Sequence, residues 1–351
     1  MNLASDNVVG ASRPVLEALL AANQGAEGAY GADAHTAKAE AMLSDVFERE
    51  CVSSLVATGT GANALALAAL TPPWGAVFCH AEAHVLDDEC GAPEMFTAGA
   101  KIVGIPGAAG KFTPAGLEAA LERFPKGVAK AVQPACVSIS QVTEAGTLYT
   151  LEEIGLIADT AKRHGLKVHL DGARFANALA GLGCTAAEMT WKAGVDVVSF
   201  GATKNGGLAC EAVVFFDKAT AENFTFRRKR GGHTVSKGRL LGAQMVGYLQ
   251  DDHWMHNARH ANAVASTLSE GLAAVAGVRR VWPTQANEVF VSLPAAVAAR
   301  LKDAGVRFAP WSSGSMPEGF AIAADDVFAR FVTSFATRED DIAKLVAIAR
   351  G

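Results

Sequence analysis

The sequence predicts an α/β protein with a mostly parallel central sheet over residues 1–248, followed by a smaller α+β domain over 249–351. Three observations carry this expectation. Through the first two-thirds of the chain, short apolar runs ending in turn residues alternate with longer Ala-rich stretches of helical spacing, the pattern of parallel strands joined by helices. Polar loops follow three of these runs where an open α/β sheet collects its ligand, outside the carboxyl ends of the strands. After about residue 248 the runs shorten and gather around one long helical stretch. At 351 residues, 50% of them hydrophobic, the chain has room for one large domain and a smaller one.

In chain order, Ser54 to Ala57 reads as a strand that leads through Thr58-Gly59-Thr60-Gly61 into a helix from Ala62. Leu166 to Leu170 leads through Asp171-Gly172 into a helix from Arg174 to Leu182, and Val195 to Phe200 ends at Gly201-Ala202-Thr203-Lys204. In the last third, a helix from Trp254 to Val275 precedes strands at 278–282, 289–293, 306–310 and 329–335, with a helix at 293–304 among them. The final helix is predicted to open with the capping-box spacing Thr337-x-x-Asp340.

Composition narrows the function. Thirty-one Lys and Arg against 36 Asp and Glu leave a net charge of -5, and the only basic block is Arg227 to Arg230. A nucleic-acid-binding or membrane-surface protein is not expected from this balance. The uncharged run from Cys51 to Cys79 is broken by Gly59, Gly61, Pro72-Pro73 and Gly75, too often for the roughly 20 apolar residues of a membrane span. Six cysteines with no C-x-x-C pair, and a start without a charged, then apolar, leader, predict a reducing cytoplasm and no metal site.

Three loops carry chemistry. The stretch Thr58 to Asn63 combines flexible backbone, hydroxyls and a helix start, which suits phosphate; the plainer alternative is an N-cap by Thr58 or Thr60. Asp171, at a strand end, suits a cationic ring nitrogen, or else caps the next helix. Arg174 could clamp a carboxylate with its two-pronged guanidinium, or form a surface ion pair. Lys204, among Gly201, Gly206 and Gly207, could lose its proton and attack a carbonyl, or be a solvated loop lysine. Taken together in this order, an anion turn, an acid, an arginine and a strand-end lysine meet the needs of pyridoxal phosphate: the turn for its phosphate, the lysine for its aldehyde, the acid for its pyridine nitrogen.

The chain resembles the low-specificity L-threonine aldolases, of the β-eliminating-lyase group within the aspartate-aminotransferase-like (type I) fold. The resemblance rests on Ala4-Ser5-Asp6-Asn7, Tyr30-Gly31-Ala32-Asp33, Thr58 to Leu67, Ala83-His84 through Glu89-Cys90-Gly91, His169 to Arg174, Ser199 to Asn205, and Ala329 to Thr333. It implies that Lys204 bonds the cofactor aldehyde as a Schiff base and that Asp171 pairs with the pyridinium. By the same resemblance Gly59, Thr60, Gly61 and Thr203 hold the phosphate, His84 stacks on the ring, and Arg174, Arg330 and Ser5 bind the substrate carboxylate. Lys237 or Arg239 would reach the phosphate from a neighbouring subunit of a homo-oligomer, a dimer or tetramer; the alternative for both is a solvated basic stretch.

One departure concerns the proton acceptor. Where many relatives carry Asn-Thr-His after a strand, this chain has Gln141-Val142-Thr143-Glu144, so His84, a held water and Glu144 all stay open as the base for the substrate hydroxyl. The implied reaction cleaves L-threonine, L-allo-threonine and related β-hydroxy-α-amino acids to glycine and an aldehyde. Two alternatives stand beside it: β-elimination on serine- or cysteine-like substrates, and a pyridoxal-binding protein without turnover.

Overall fold

The structure, a computed structural model, describes residues 1–351 and turns the alternation of runs into a seven-stranded sheet. Its strands are β1 (Val52–Val56), β2 (Gly75–His80), β3 (Lys101–Ile105), β4 (Gln133–Ser140), β5 (Lys167–Gly172), β6 (Val197–Gly201) and β7 (Glu211–Phe215). Across the sheet the order is β1-β7-β6-β5-β4-β2-β3. All neighbours pair in parallel except β7, which runs antiparallel between β1 and β6. The exception follows from chain length, because residues 202–210 are fewer than the dozen or so that a parallel crossover needs. Every residue of β2, β6 and β7 is buried, as expected for strands covered by helices on both faces.

A second, wholly antiparallel sheet is built from β8 (Arg279–Arg280), β9 (Glu288–Pro294), β10 (Ala309–Pro310) and β11 (Asp326–Val332), in the order β10-β11-β9-β8. Its apolar side chains, with Leu268 and Leu272 of the helix His253–Ala273, Leu301 of Ala295–Asp303 and Leu345 of Glu339–Arg350, form a core separate from that of the large sheet. The N-terminus joins this sheet: the Leu3 N–H donates to the Arg307 carbonyl, and the Val332 N–H to the Leu3 carbonyl, both at 2.8 Å. No helix is long and apolar enough to cross a membrane.

Three sequence expectations change in detail. The helix placed from Ala62 begins at Gly59, so the glycines form its first turn rather than a loop before it. The strands expected at 278–282 and 306–310 pair over only two residues each. The final helix has Arg338 at its N-cap with no side-chain cap, because the Thr337 hydroxyl is turned back to accept the Ser334 N–H at 2.9 Å.

Candidate active site

A cavity of about 520 Å³ opens at the carboxyl ends of β4, β5 and β6. Pairing across these strands sets Ser140, Asp171 and Ser199 in one row, so their side chains share a face at that edge. The cavity walls include Ser5, Gly59, Thr60, His84, Asp171 and Arg174, together with Thr203, Lys204 and Arg330. Most of the site residues expected from the sequence therefore converge. Gly61 is not part of this wall; a Cβ there would collide with the His233 imidazole. Lys237 and Arg239 do not line the cavity of this chain; Lys237 is exposed, and Arg239 donates to the Gln24 and Gly25 carbonyls.

The helix Gly59–Leu70 presents its N-terminus to the cavity. Thr58 is its cap: its hydroxyl accepts the Gly61 N–H at 3.0 Å and its carbonyl the Ala62 N–H at 3.0 Å. That leaves the Gly59 and Thr60 N–H groups without a helical acceptor, facing the same space. Of the two alternatives in the sequence the structure shows the cap, and the first turn it fixes leaves two N–H donors of the kind that suits an anion.

Asp171 is nearly fully buried, and each of its oxygens is held. Oδ1 accepts the Ala173 N–H at 3.0 Å and Oδ2 the Asn63 side-chain amide at 2.8 Å. Asn63 also donates to Glu89 Oε1 at 2.8 Å, and that oxygen lies 2.9 Å from His84 Nδ1. The bond to Glu89 raises His84 above the ordinary imidazole range, against the opposing effect of burial. Behind Asp171, the buried His169 bridges Ser138 and Ser199, each at 2.9 Å; burial pushes it down to about 4, so it is neutral.

Lys204 follows β6 in the short turn Thr203–Asn205 and faces charges that no local pattern reveals. Burial, and next the Arg174 guanidinium, lower its amine below the ordinary lysine range, while Asp6, Glu288 and Asp171 act in the other direction. Arg174, at the start of the helix Phe175–Leu182, forks onto Asp6 with Nε–Oδ2 2.7 Å and Nη2–Oδ1 3.1 Å, and lies 3.3 Å from Glu288. Although burial alone would raise it, Asp6 is held below the ordinary carboxylate range by Arg174 and Lys204. Arg330, on β11, sits 3.7 Å from Glu288 and stacks over the Trp311 ring at 4.2 Å, with its Nε unpartnered and buried. The two guanidiniums thus flank one carboxylate and still offer donors to a second.

The rim joins the two sheets. The segment after β10 anchors to Glu82, two residues before His84: the Ser313 hydroxyl donates at 2.8 Å, the Ser315 hydroxyl at 2.9 Å and its N–H at 3.1 Å, with the Gly314 N–H alongside. Sequence reading assigned no role to Asn63, Glu89, Asp6, Glu288 or Trp311. The first three stand inside quoted motif segments, where a polar residue destined for burial was the available signal. Glu288 and Trp311 carry none, since each is an ordinary residue at a strand end until the sheets meet.

A family model for beta-eliminating lyases matches residues 2–296. A low specificity L-threonine aldolase of Pseudomonas aeruginosa is 45% identical over 87% of this chain and 88% of its own length. A threonine aldolase of Leishmania major superposes with a TM-score of 0.91 at 30% identity, covering 99% of this chain and 98% of that one. A serine palmitoyltransferase from S. paucimobilis with bound PLP and myriocin, at 19% identity, shares the fold with a TM-score of 0.70 over all of this chain and 86% of that one.

Proposed function

Because the chain belongs to the beta-eliminating lyase family, we propose that its cavity performs the aldol cleavage of L-threonine, L-allo-threonine and related β-hydroxy-α-amino acids to glycine and an aldehyde. The protein is a lyase with the type I architecture shared by pyridoxal-phosphate enzymes. The observation that carries the reading is the convergence of Lys204, Asp171, Arg174 and Arg330 on one cavity.

The residues present fit pyridoxal phosphate. Unpaired N–H groups at Gly59 and Thr60, open space where a Gly59 Cβ would stand, and the Thr203 hydroxyl would receive the phosphate. Asp171 would hold the ring nitrogen, His84 would cover the ring, and Lys204 would hold the aldehyde carbon. When bound, the cofactor supplies a conjugated cationic ring able to accept the electron pair of a breaking bond at the amino acid's Cα.

The remaining work falls to the chain. Asp171 needs no reorientation to stabilise a protonated nitrogen, because Asn63 and the Ala173 N–H already fix its carboxylate. The lowered basicity of Lys204, from burial and the nearby Arg174, makes its amine easier to deprotonate and so readier to act as a nucleophile than an exposed lysine. Arg174, braced by Asp6 and Glu288, and Arg330, braced by Glu288 and Trp311, hold the substrate carboxylate, with Ser5 beside them. Fixing that carboxylate would orient the substrate's Cα, and so would select Cα–Cβ cleavage over loss of carbon dioxide or of the α-proton.

In the same reading, residues 1–248 form the cofactor-holding domain and 249–351 the smaller one. The active species is a cytoplasmic homo-oligomer in which Lys237 or Arg239 reaches a neighbouring subunit's phosphate site. The test is product analysis with L-threonine or L-allo-threonine. Acetaldehyde with equimolar glycine is expected; 2-oxobutyrate with ammonia, and no glycine, would replace this reading by β-elimination.

A further inference from the structure

Cleavage of a β-hydroxy amino acid requires a group that accepts the hydroxyl proton within about 2.6 to 3.2 Å of the oxygen. His84 and Glu144 are the two candidate side chains at that part of the wall, and their surroundings differ. The His84 ring is committed to Glu89 through Nδ1 at 2.9 Å, and that contact favours its charged, proton-bearing form. Glu144 is fixed from one side only: its Oε1 accepts the Ser140 hydroxyl at 2.7 Å and the His84 backbone N–H at 2.9 Å. Its Oε2 has no hydrogen-bond partner and is closed off from solvent, while the residue lines the cavity beside Ser140, Asp171 and Arg174.

We propose that Glu144 is the catalytic base whose carboxylate takes the substrate's β-hydroxyl proton; this rests on the aldol-cleavage reading. The O–H bonding pair becomes the second carbon–oxygen bond of the departing aldehyde, and the Cα–Cβ pair stays with the glycine fragment. The proton passes to the carboxylate and returns to the glycine Cα, directly or through water, so nothing is consumed.

The electrostatics agree with this geometry. Burial pushes Glu144 up to about 7, opposed by its bonds from Ser140 and the His84 N–H and reinforced by Asp171. The other groups around it are Arg174, which is charged, and Cys79 and Tyr149, both kept neutral by burial. An acid of this strength is poised to exchange protons near neutral pH. The Glu89 bond raises the neighbouring His84 above the ordinary imidazole range, so that ring binds its proton more tightly and is the poorer acceptor.

The experiment compares the holoenzyme with Glu144→Gln, which keeps shape and removes the base. In the wild type, kcat/KM for L-threonine should fall as pH drops through about 7. In Glu144→Gln, kcat should fall about 10²- to 10⁴-fold and that acid limb should disappear, with glycine and cofactor affinity within about twofold of wild type. An infrared titration of the chain without cofactor should show two buried carboxylic acids ionising near pH 7, Glu144 and Glu211, and the Glu144→Gln difference spectrum should lack one of them. A wild-type infrared titration identical to that of Glu144→Gln, a Glu144→Gln enzyme within about threefold of the wild-type kcat, or a kcat loss matched by lost glycine affinity overturns the assignment. If Glu144→Gln does not fold, Glu144→Asp replaces it: a reduced rate with the limb retained supports the proposal, and an unchanged rate overturns it. Failure of the aldol reading is recognised separately, by wild-type protein that releases ammonia and 2-oxobutyrate instead of glycine and acetaldehyde.

Discussion

Asp171 and His84 occupy opposite ends of one hydrogen-bonded chain, Asp171–Asn63–Glu89–His84, and each end supports its own prediction. A carboxylate paired with a protonated ring nitrogen in an enclosed site is worth far more than a neutral amide there. Asp171→Asn should therefore fold and retain much of its cofactor, yet lose about 2 to 4 kcal/mol of transition-state stabilisation, measured as kcat in steady-state kinetics. A near-normal kcat would remove Asp171 from that role. At the other end, the Glu89 bond raises His84, so the stability from this pair is complete below the ordinary imidazole pKa and is lost as pH rises through the raised value in the fold. Glu89→Gln should lower the His84 titration midpoint seen by histidine-ring NMR; an unmoved midpoint would show that Glu89 is not what sustains the charge.

At the scale of the element, the helix Gly59–Leu70 matters through its first turn. Apart from Thr60 and Asn63 its residues are glycine, alanine and leucine, and Ala62 to Ala68 are buried, so the helix sits deep against the sheet and its N-terminus cannot shift freely. Thr58 alone satisfies the Gly61 N–H. Thr58→Ala should cost about 1 kcal/mol in denaturant unfolding and should also weaken cofactor affinity, since a frayed turn no longer aims the Gly59 and Thr60 N–H groups. Lost stability with unchanged cofactor affinity would separate the cap from the phosphate site. The sequence disclosed this helix and left its cap between Thr58 and Thr60, but misplaced its start by three residues, because glycines between hydroxyls read as turn until the buried face behind them is known. At the other end of the chain the capping spacing misled, since the Thr337 hydroxyl had a nearer donor in Ser334.

For the whole molecule, the cavity depends on three parts that are remote in sequence: the large sheet, the N-terminal segment carrying Ser5 and Asp6, and the second sheet carrying Glu288 and Arg330. Arg330→Lys keeps the charge but loses the planar fork and the stack on Trp311, so kcat/KM should fall by at least about tenfold, mainly through KM. Unaltered kinetics would mean that the second sheet does not reach the substrate. The positions of Lys237 and Arg239, outside this chain's own cavity, suit a role across a subunit boundary. Sedimentation at assay concentration should show a dimer or larger species, and a fully active monomer would refute the shared site. The alternation of strands and helices, three of the seven strands of the large sheet, and Asp171 and Lys204 at strand ends with Arg174 at a helix start were legible in the sequence alone, because periodicity and turn chemistry act between residues a few positions apart. The tertiary structure alone decided what those residues face: Asp6 and Glu288 bracing Arg174, Asn63 bridging Asp171 to Glu89, and Glu144 keeping one oxygen unpaired. Such pairings join segments far apart in the chain, and burial strengthens them only after packing has excluded water, so no local pattern encodes them.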